Sequence, residues 1–233
     1  MKTIILNKKL ASLTEQEFSR RCCDLAALVL GIPEYRESFA SYIHNQFVSS
    51  GPRGEVFPYD AVSEIGRKDT AGNEMLLRSS ANRDRVTRAE AAFLDRDRSV
   101  VFQATENVIL RGRAPTKLMI FSKRNPDLTH SQYVEHWRTQ HVRVLRSQDD
   151  FYRHVRGYRQ NYIRENSFRT LSGKTIADPH LFDGVVELWF DSAETARRAF
   201  AAEGYQTVVR ADEPKFVHVG KSIAFLAEEI IFG

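Results

Sequence analysis

The 233-residue chain has only two cysteines, and they are neighbours, Cys22 and Cys23. Adjacent cysteines do not readily close a strain-free disulfide on each other and offer no metal-ligand spacing, so a disulfide framework and a zinc cluster are both excluded. They are expected as reduced thiols of a cytoplasmic protein. Long apolar runs are missing too. The longest mainly apolar stretch, Leu25 to Ile32, falls far short of the roughly 20 residues that span a bilayer. No charged region and apolar core precede the first strand-like segment, so no signal peptide is expected. Charge of one sign is also lacking: 34 Lys and Arg face 30 Asp and Glu. A net charge of +4 spread over a mixed surface is not the basic arm of a nucleic-acid binder. There is no Gly-rich phosphate loop and no nucleophile elbow, which removes the nucleotide-binding and hydrolase classes.

What is present is 42% hydrophobic residues, enough for packed cores in one domain or two small ones. The informative stretch is Lys117 to Leu145, which reads as a strand, a polar turn and an amphipathic helix. Tyr133, Trp137, His141, Val144 and Leu145 recur at helical spacing on one side, which puts His141 on the buried face. Thr129 is placed to cap that helix.

This unit occurs twice. KTIILNKKLASLTEQEF from Lys2 aligns without a gap on KLMIFSKRNPDLTHSQY from Lys117 at an offset of 115 residues. Further along, Asp60 and Glu64 match Asp183 and Glu187, and Glu90, Phe93, Phe102 and Glu106 match Glu213, Phe216, Phe225 and Glu229, now at an offset of 123. The second half therefore carries a net insertion of eight residues between its first helix and its third strand, a change that surface loops accept.

Each half reads strand, helix, strand, strand, helix, strand. The spans are 2–8, 15–30, 40–48, 58–66, 73–80 and 97–107, then 117–123, 130–148, 156–164, 182–190, 192–202 and 219–229. Ser192 or Asp191 would cap the last helix and Gly204 would end it. The order predicts an α+β fold of two tandem ferredoxin-like units, residues 1–110 and 117–233, packed sheet to sheet. Along Asp183 to Phe190 both faces are largely apolar, so a polar Glu187 there needs a partner or a task.

With these motifs in view, KR-x-P-x-LT, the Tyr/Trp helix ending in His, FDGVVELWFDS and GY-x-x-V-x-x-DE-x-x-F, the chain resembles the EthD family of the dimeric α/β-barrel superfamily. The resemblance covers nearly all of residues 117–230 and, in the first half, the opening strand, the YD-x-V-x-E strand and the terminal segment. It implies an intramolecular version of the dimeric α/β barrel and a small cofactor-free enzyme or accessory protein of ring-compound catabolism or polyketide biosynthesis. The helix histidine of isomerase members corresponds to His141. Its counterpart in the first half is Ala26, so one half would be active and one supporting.

His141 is read as general acid or base, against a plain core histidine, and Glu187 as its orienting or second proton-handling group, against a structural pair with Glu64. Tyr158 and Asn161 are substrate hydrogen-bonders, and Trp189, Phe121 and Phe225 an apolar wall, against ordinary core. His136 is read as a surface residue, Asp60 and Asp183 as turn or cap residues, and Asp212 and Glu213 as braces for the last strand. The arginines after the helix could steer an anionic substrate, though a solvated face explains most of them. The expected function is a cofactor-independent lyase or isomerase acting by proton transfer, dehydration or decarboxylation on a small hydrophobic cyclic substrate. The alternatives are a non-catalytic ligand-binding module and a monooxygenase, cofactor-free or haem-dependent with His141 on the iron. No metal, membrane or nucleic-acid partner is expected, and exposed strand edges would allow a homodimer.

Overall fold

The computed structural model describes residues 1–54, 56–68, 80–178 and 181–232. In chain order the elements are β1 (Lys2–Asn7), α1 (Glu15–Leu30), α2 (Pro33–Ser38), β2 (Phe39–Ser50), β3 (Ala61–Arg67), α3 (Ser80–Ala91), β4 (Val100–Leu110), β5 (Thr116–Ser122), α4 (His130–His136), β6 (Gly157–Ile163), β7 (Arg169–Thr170), β8 (Gly184–Phe190), α5 (Ala193–Ala201) and β9 (Ile223–Phe232). The helix expected at 73–80 falls, except for its last residue, outside the described residues. No helix among the described residues is long and apolar enough to cross a membrane.

The first helix of each half starts in the same way. Thr14 and Thr129 each accept from the backbone N–H three residues on, while Glu17 and Gln132 reach back to the cap, a reciprocal capping box. α1 then buries Phe18, Cys22, Leu25, Ala26 and Val29 on one face. Asp60 and Asp183 brace the turn after the opening strand of each half: Asp60 accepts from the Lys9 N–H at 2.8 Å and Asp183 from the Arg124 N–H at 3.0 Å.

Strand pairing runs β1-β3-β2-β9-β5-β8-β6-β4 and returns from β4 to β1, a closed eight-stranded antiparallel barrel with β7 alongside β4. The halves are therefore not two stacked sheets. β2 pairs with β9 and β4 with β6, so both seams are hydrogen-bonded ladders. These seams take up, within one chain, the strand edges that each half would otherwise offer a second copy, β7 apart. The insertion in the second half carries β7, which pairs with Val100 and Val101 of the first half.

The connector 111–115 needs its glycine. Gly112 has φ +149°, and a Cβ there would lie 2.0 Å from the Arg156 carbonyl oxygen.

Inside the barrel, Ile4, Leu6, Val62, Phe102, Met119, Phe121, Val185 and Phe225 form one apolar cluster. Beyond it lies a polar layer to which all eight barrel strands contribute. Lys2 Nζ is 2.7 Å from Glu64, 2.6 Å from Glu187 and 2.7 Å from Glu106. Lys117 Nζ bonds Glu64 and lies 3.1 Å from both Glu187 and Glu229. Asn45 and Asn161 donate to Glu64 and Glu187 at 2.8 and 2.7 Å. β1 and β8 are not neighbours in the sheet, so the Lys2–Glu187 contact can only cross the interior. With Arg159 on Glu106 and Arg113 on Glu229, four carboxylates meet four cations.

Burial raises the cost of each charge, but the opposing charges win. Lys2 and Lys117 resist desolvation and are held above the ordinary lysine range by Glu187 and Glu64. Against the same burial, Lys117 and Lys2 hold Glu64 well below the usual carboxylate range.

Candidate functional site

The outer face of the second half's strands is covered by α4 and the helical turns C-terminal to it. α4 passes into a π-helical turn, Trp137–His141, and then a short α-helical segment, Val142–Arg146. This turn matters for the chemistry. In an α-helix, residues five apart point about 140° away from each other. In a π turn, where the backbone bonds run i to i+5, such residues stack on one side, and π bulges recur at functional sites. His136 and His141 are five apart, and they reach the same carboxylate. His141 Nδ1 is 3.0 Å from Asp212 Oδ2, and His136 Nε2 is 3.2 Å from both Asp212 oxygens. Lys215 Nζ adds a contact at 3.3 Å.

Asp212 is buried, which alone would favour its neutral form, but the hydrogen bonds from His141 and His136 hold it far below the ordinary aspartate range. An anionic carboxylate beside Nδ1 selects the tautomer with the proton on Nδ1, which leaves the Nε2 lone pair of a neutral His141 to act on a ligand. The Phe216 ring lies 4.7 Å from the His141 ring and 4.8 Å from that of His136, fixing both imidazoles against one apolar plate.

His141 opens onto a cavity of about 70 Å³ lined by Trp137, Tyr158, Phe151, Phe200, Tyr205 and Phe216 among others. At about 10–15 Å³ per water that is room for roughly five waters, or one small ring. Tyr158 Oη accepts from Trp137 Nε1 and Gln160 Nε2, each at 2.9 Å. With both acceptor positions taken, its own O–H is the remaining donor. The first half completes the rim: Arg53, from the β2–β3 loop, bonds Tyr205 and Glu213, and Tyr205 donates to Glu213 at 2.7 Å.

The residues predicted from sequence divide between the two sides of the sheet. Tyr158 and His141 share the cavity. Glu187 does not join them. Val186 and Leu188 line the His141 cavity, so by strand alternation Glu187 points inward, where Lys2, Lys117 and Asn161 hold it. Asn161 goes with it. Trp189 is also interior, donating to Glu229 at 2.8 Å beneath the cations of Lys117 and Arg159. Phe121 and Phe225 stack on Phe57 in the barrel's apolar cluster, with ring centroids 5.7 and 4.2 Å away. Asp212, not Glu187, is the partner of His141, and His136 is a second ligand of that carboxylate rather than a surface residue.

An α-helical period could not show His136, and the bracing reading of Asp212 missed its role. The D-E pair four residues ahead of Phe216 was the available signal. Arg53 was missed because its contact with Glu213, itself read only as a brace, joins residues 160 positions apart.

Among the described residues no three His, Cys, Asp or Glu side chains gather as metal ligands. A haem does not fit beside His141 either, because the aromatic lining leaves about 70 Å³.

Residues 125–220 match the model of the EthD domain. The match to the EthD domain lies wholly within the second half of the chain. This match spans the turn before α4, the π turn with His141, and Asp212 to Phe216. No curated protein matches the chain by sequence.

Solved structures match over nearly the whole length. A candidate monooxygenase from Lactobacillus acidophilus NCFM is 10% identical with a TM-score of 0.54, covering 100% of this chain and 98% of that one. An anthrone oxidase-like protein is 11% identical with a TM-score of 0.56, covering 100% and 92%. A candidate chlorite dismutase is 11% identical with a TM-score of 0.53, covering 98% and 94%. At such identities the likeness is one of fold, that of the dimeric α/β barrel.

Proposed function

We propose that this EthD-domain barrel processes a small cyclic molecule by proton transfer in the His141 cavity, without a cofactor. The observation that carries the reading is the His141–Asp212 hydrogen bond of 3.0 Å at the wall of an apolar cavity, with Tyr158 as the nearby hydroxyl donor. In this reading His141 Nε2 removes a proton from carbon next to a ring carbonyl, the electron pair moves onto the carbonyl oxygen, and Tyr158 donates to that oxygen. Returning the proton at a different carbon completes an isomerisation. Asp212 is a positioning residue that stabilises the imidazolium, and Glu187 belongs to the barrel interior.

The size of the cavity favours a single ring, such as an unsaturated five-membered lactone. The test is α-angelica lactone in D2O, followed by proton NMR for migration of the double bond and entry of deuterium. The wild type is expected to accelerate exchange, His141→Ala to lose on the order of 10²-fold or more of that acceleration, and Tyr158→Phe to lose less. Acceleration that survives His141→Ala would refute the assignment. The neighbours' names favour a second reading in which the same carbanion meets dioxygen. Oxygen uptake with anthrone, recorded on an oxygen electrode, separates the two.

We infer also that residues 1–110 and 117–233 are tandem copies of a ferredoxin-like unit. Strand order supports this: with the two-residue β7 set aside, β4-β1-β3-β2 in the first half and β9-β5-β8-β6 in the second are the same arrangement of each half's fourth, first, third and second strands.

A further inference from the structure

The first half holds a cavity of its own, of about 480 Å³, where the start of α1 meets β2 and β3. That volume is within the range of small-molecule sites. His44 lines it, with Phe18, Ser19, Gln46, Phe57 and Tyr59. His44 is 1% exposed, yet among the described residues neither of its ring nitrogens has a hydrogen-bond partner. Buried polar atoms are almost always paired, so a ring with both nitrogens orphaned calls for an explanation.

The corresponding position in the second half supplies one. Ile43 lies opposite Glu64 as Arg159 lies opposite Glu187, so by register His44 occupies the place of Gln160. Gln160 is fully engaged there: it donates to the Trp137 carbonyl at 3.1 Å and to Tyr158 at 2.9 Å, and accepts from Tyr162 at 2.6 Å. In the first half Cys22 stands where the alignment has Trp137, and Gln46 where the register has Tyr162. Gln46 turns its carbonyl to Ser19 at 3.0 Å instead. Two aromatic side chains are thus replaced by smaller ones. Space opens beneath α1, and the ring left in it keeps no partner.

The chemistry of the lining indicates what would fit. The two carboxylates at the rim are already matched, Asp60 by Lys8 at 3.2 Å and by the Lys9 N–H, and Glu15 by Lys9 at 3.3 Å. No net charge is left to recruit an ion. Burial lowers His44 to about 4, so at neutral pH it presents one N–H donor and one bare nitrogen acceptor. Phe18, Phe57 and Tyr59 offer apolar ring surface beside it.

We propose that this cavity is a second ligand site, in which the His44 imidazole hydrogen-bonds the hydroxyl of a neutral aromatic alcohol whose ring rests against Phe18, Phe57 and Tyr59.

The test is a titration of the full chain, labelled with 15N at its histidines, with 2-naphthol at neutral pH. The His44 ring signals are identified as those missing from His44→Phe. Expected are a saturable shift of the His44 ring nitrogens in the wild type, its loss in Ser19→Trp, which fills the cavity from α1, and at least tenfold weaker binding by calorimetry in His44→Phe. Naphthalene, which lacks the hydroxyl, should leave the His44 nitrogens unmoved. An absence of His44 shifts at millimolar 2-naphthol would overturn the proposal, as would an equal response to naphthalene. The wild-type titration decides the matter even if a variant fails to fold.

Discussion

Replacing Lys117 by methionine tests the reading of the barrel interior as a charge-balanced network. Lys117 is fully buried; its ammonium bonds Glu64, lies 3.1 Å from both Glu187 and Glu229, and sits 5.0 Å from the Trp189 ring centroid. Methionine keeps most of the volume and removes the charge. Breaking a buried ion pair by deleting one partner costs about 3–5 kcal/mol, because the other charge is left uncompensated. For a chain of this size that corresponds to a fall in Tm of about 6–20 °C.

The pH profile provides the sharper signature. In the wild type Glu64 is held below its unfolded pKa, so its contribution to stability is fully present above about pH 4.3 and is lost as the pH falls through the lowered folded value. In Lys117→Met the carboxylates crowd without their cation, and at least one is pushed above its unfolded value. Relative to the wild type, the variant should therefore gain stability as the pH drops from 7 towards 5. Adding Glu64→Gln to Lys117→Met should recover part of the loss, with a coupling of about 2 kcal/mol in a double-mutant cycle. Urea denaturation at pH 5 and 7 measures the four proteins of the cycle. A cost under about 1 kcal/mol with an unchanged pH slope would show that the network contributes nothing of this kind.

Two further predictions address the outer face. Gly184→Ala would place a Cβ 2.3 Å from Tyr133 Oη and 2.4 Å from Trp137 Cζ3, so it should cost about 1–3 kcal/mol by urea denaturation and change the near-ultraviolet circular dichroism of Trp137; a neutral outcome would mean that the helix is free to shift off the sheet. Asp212→Asn should loosen the preference of the His141 ring for the tautomer protonated at Nδ1, read from its 15N chemical shifts, because the carboxylate that holds that N–H is gone; unchanged shifts would remove Asp212 from its positioning role.

The sequence alone determined the order of the strands in each half, β7 apart, the cap at Thr129, the turn or cap roles of Asp60 and Asp183 and the buried side of the helix that bears His141. All of these are local, set by hydrophobic period and by side chains acting on their own backbone. The repeat of Lys2 in Lys117 and of Glu64 in Glu187 was visible as well, but not its meaning, since four carboxylates become partners of four cations only when the barrel closes. Which face a strand residue serves depends on what covers that face. Glu187, Asn161, Trp189, Phe121 and Phe225 were legible as important positions and were placed on the wrong side of the sheet relative to His141. The π turn that turns His136 toward Asp212 breaks the period on which helix reading depends. The long-range pairs, His141 with Asp212 and Arg53 with Glu213, are set by how the chain returns on itself. Local periodicity fixes which residues are buried, and only the tertiary structure decides which buried residues meet.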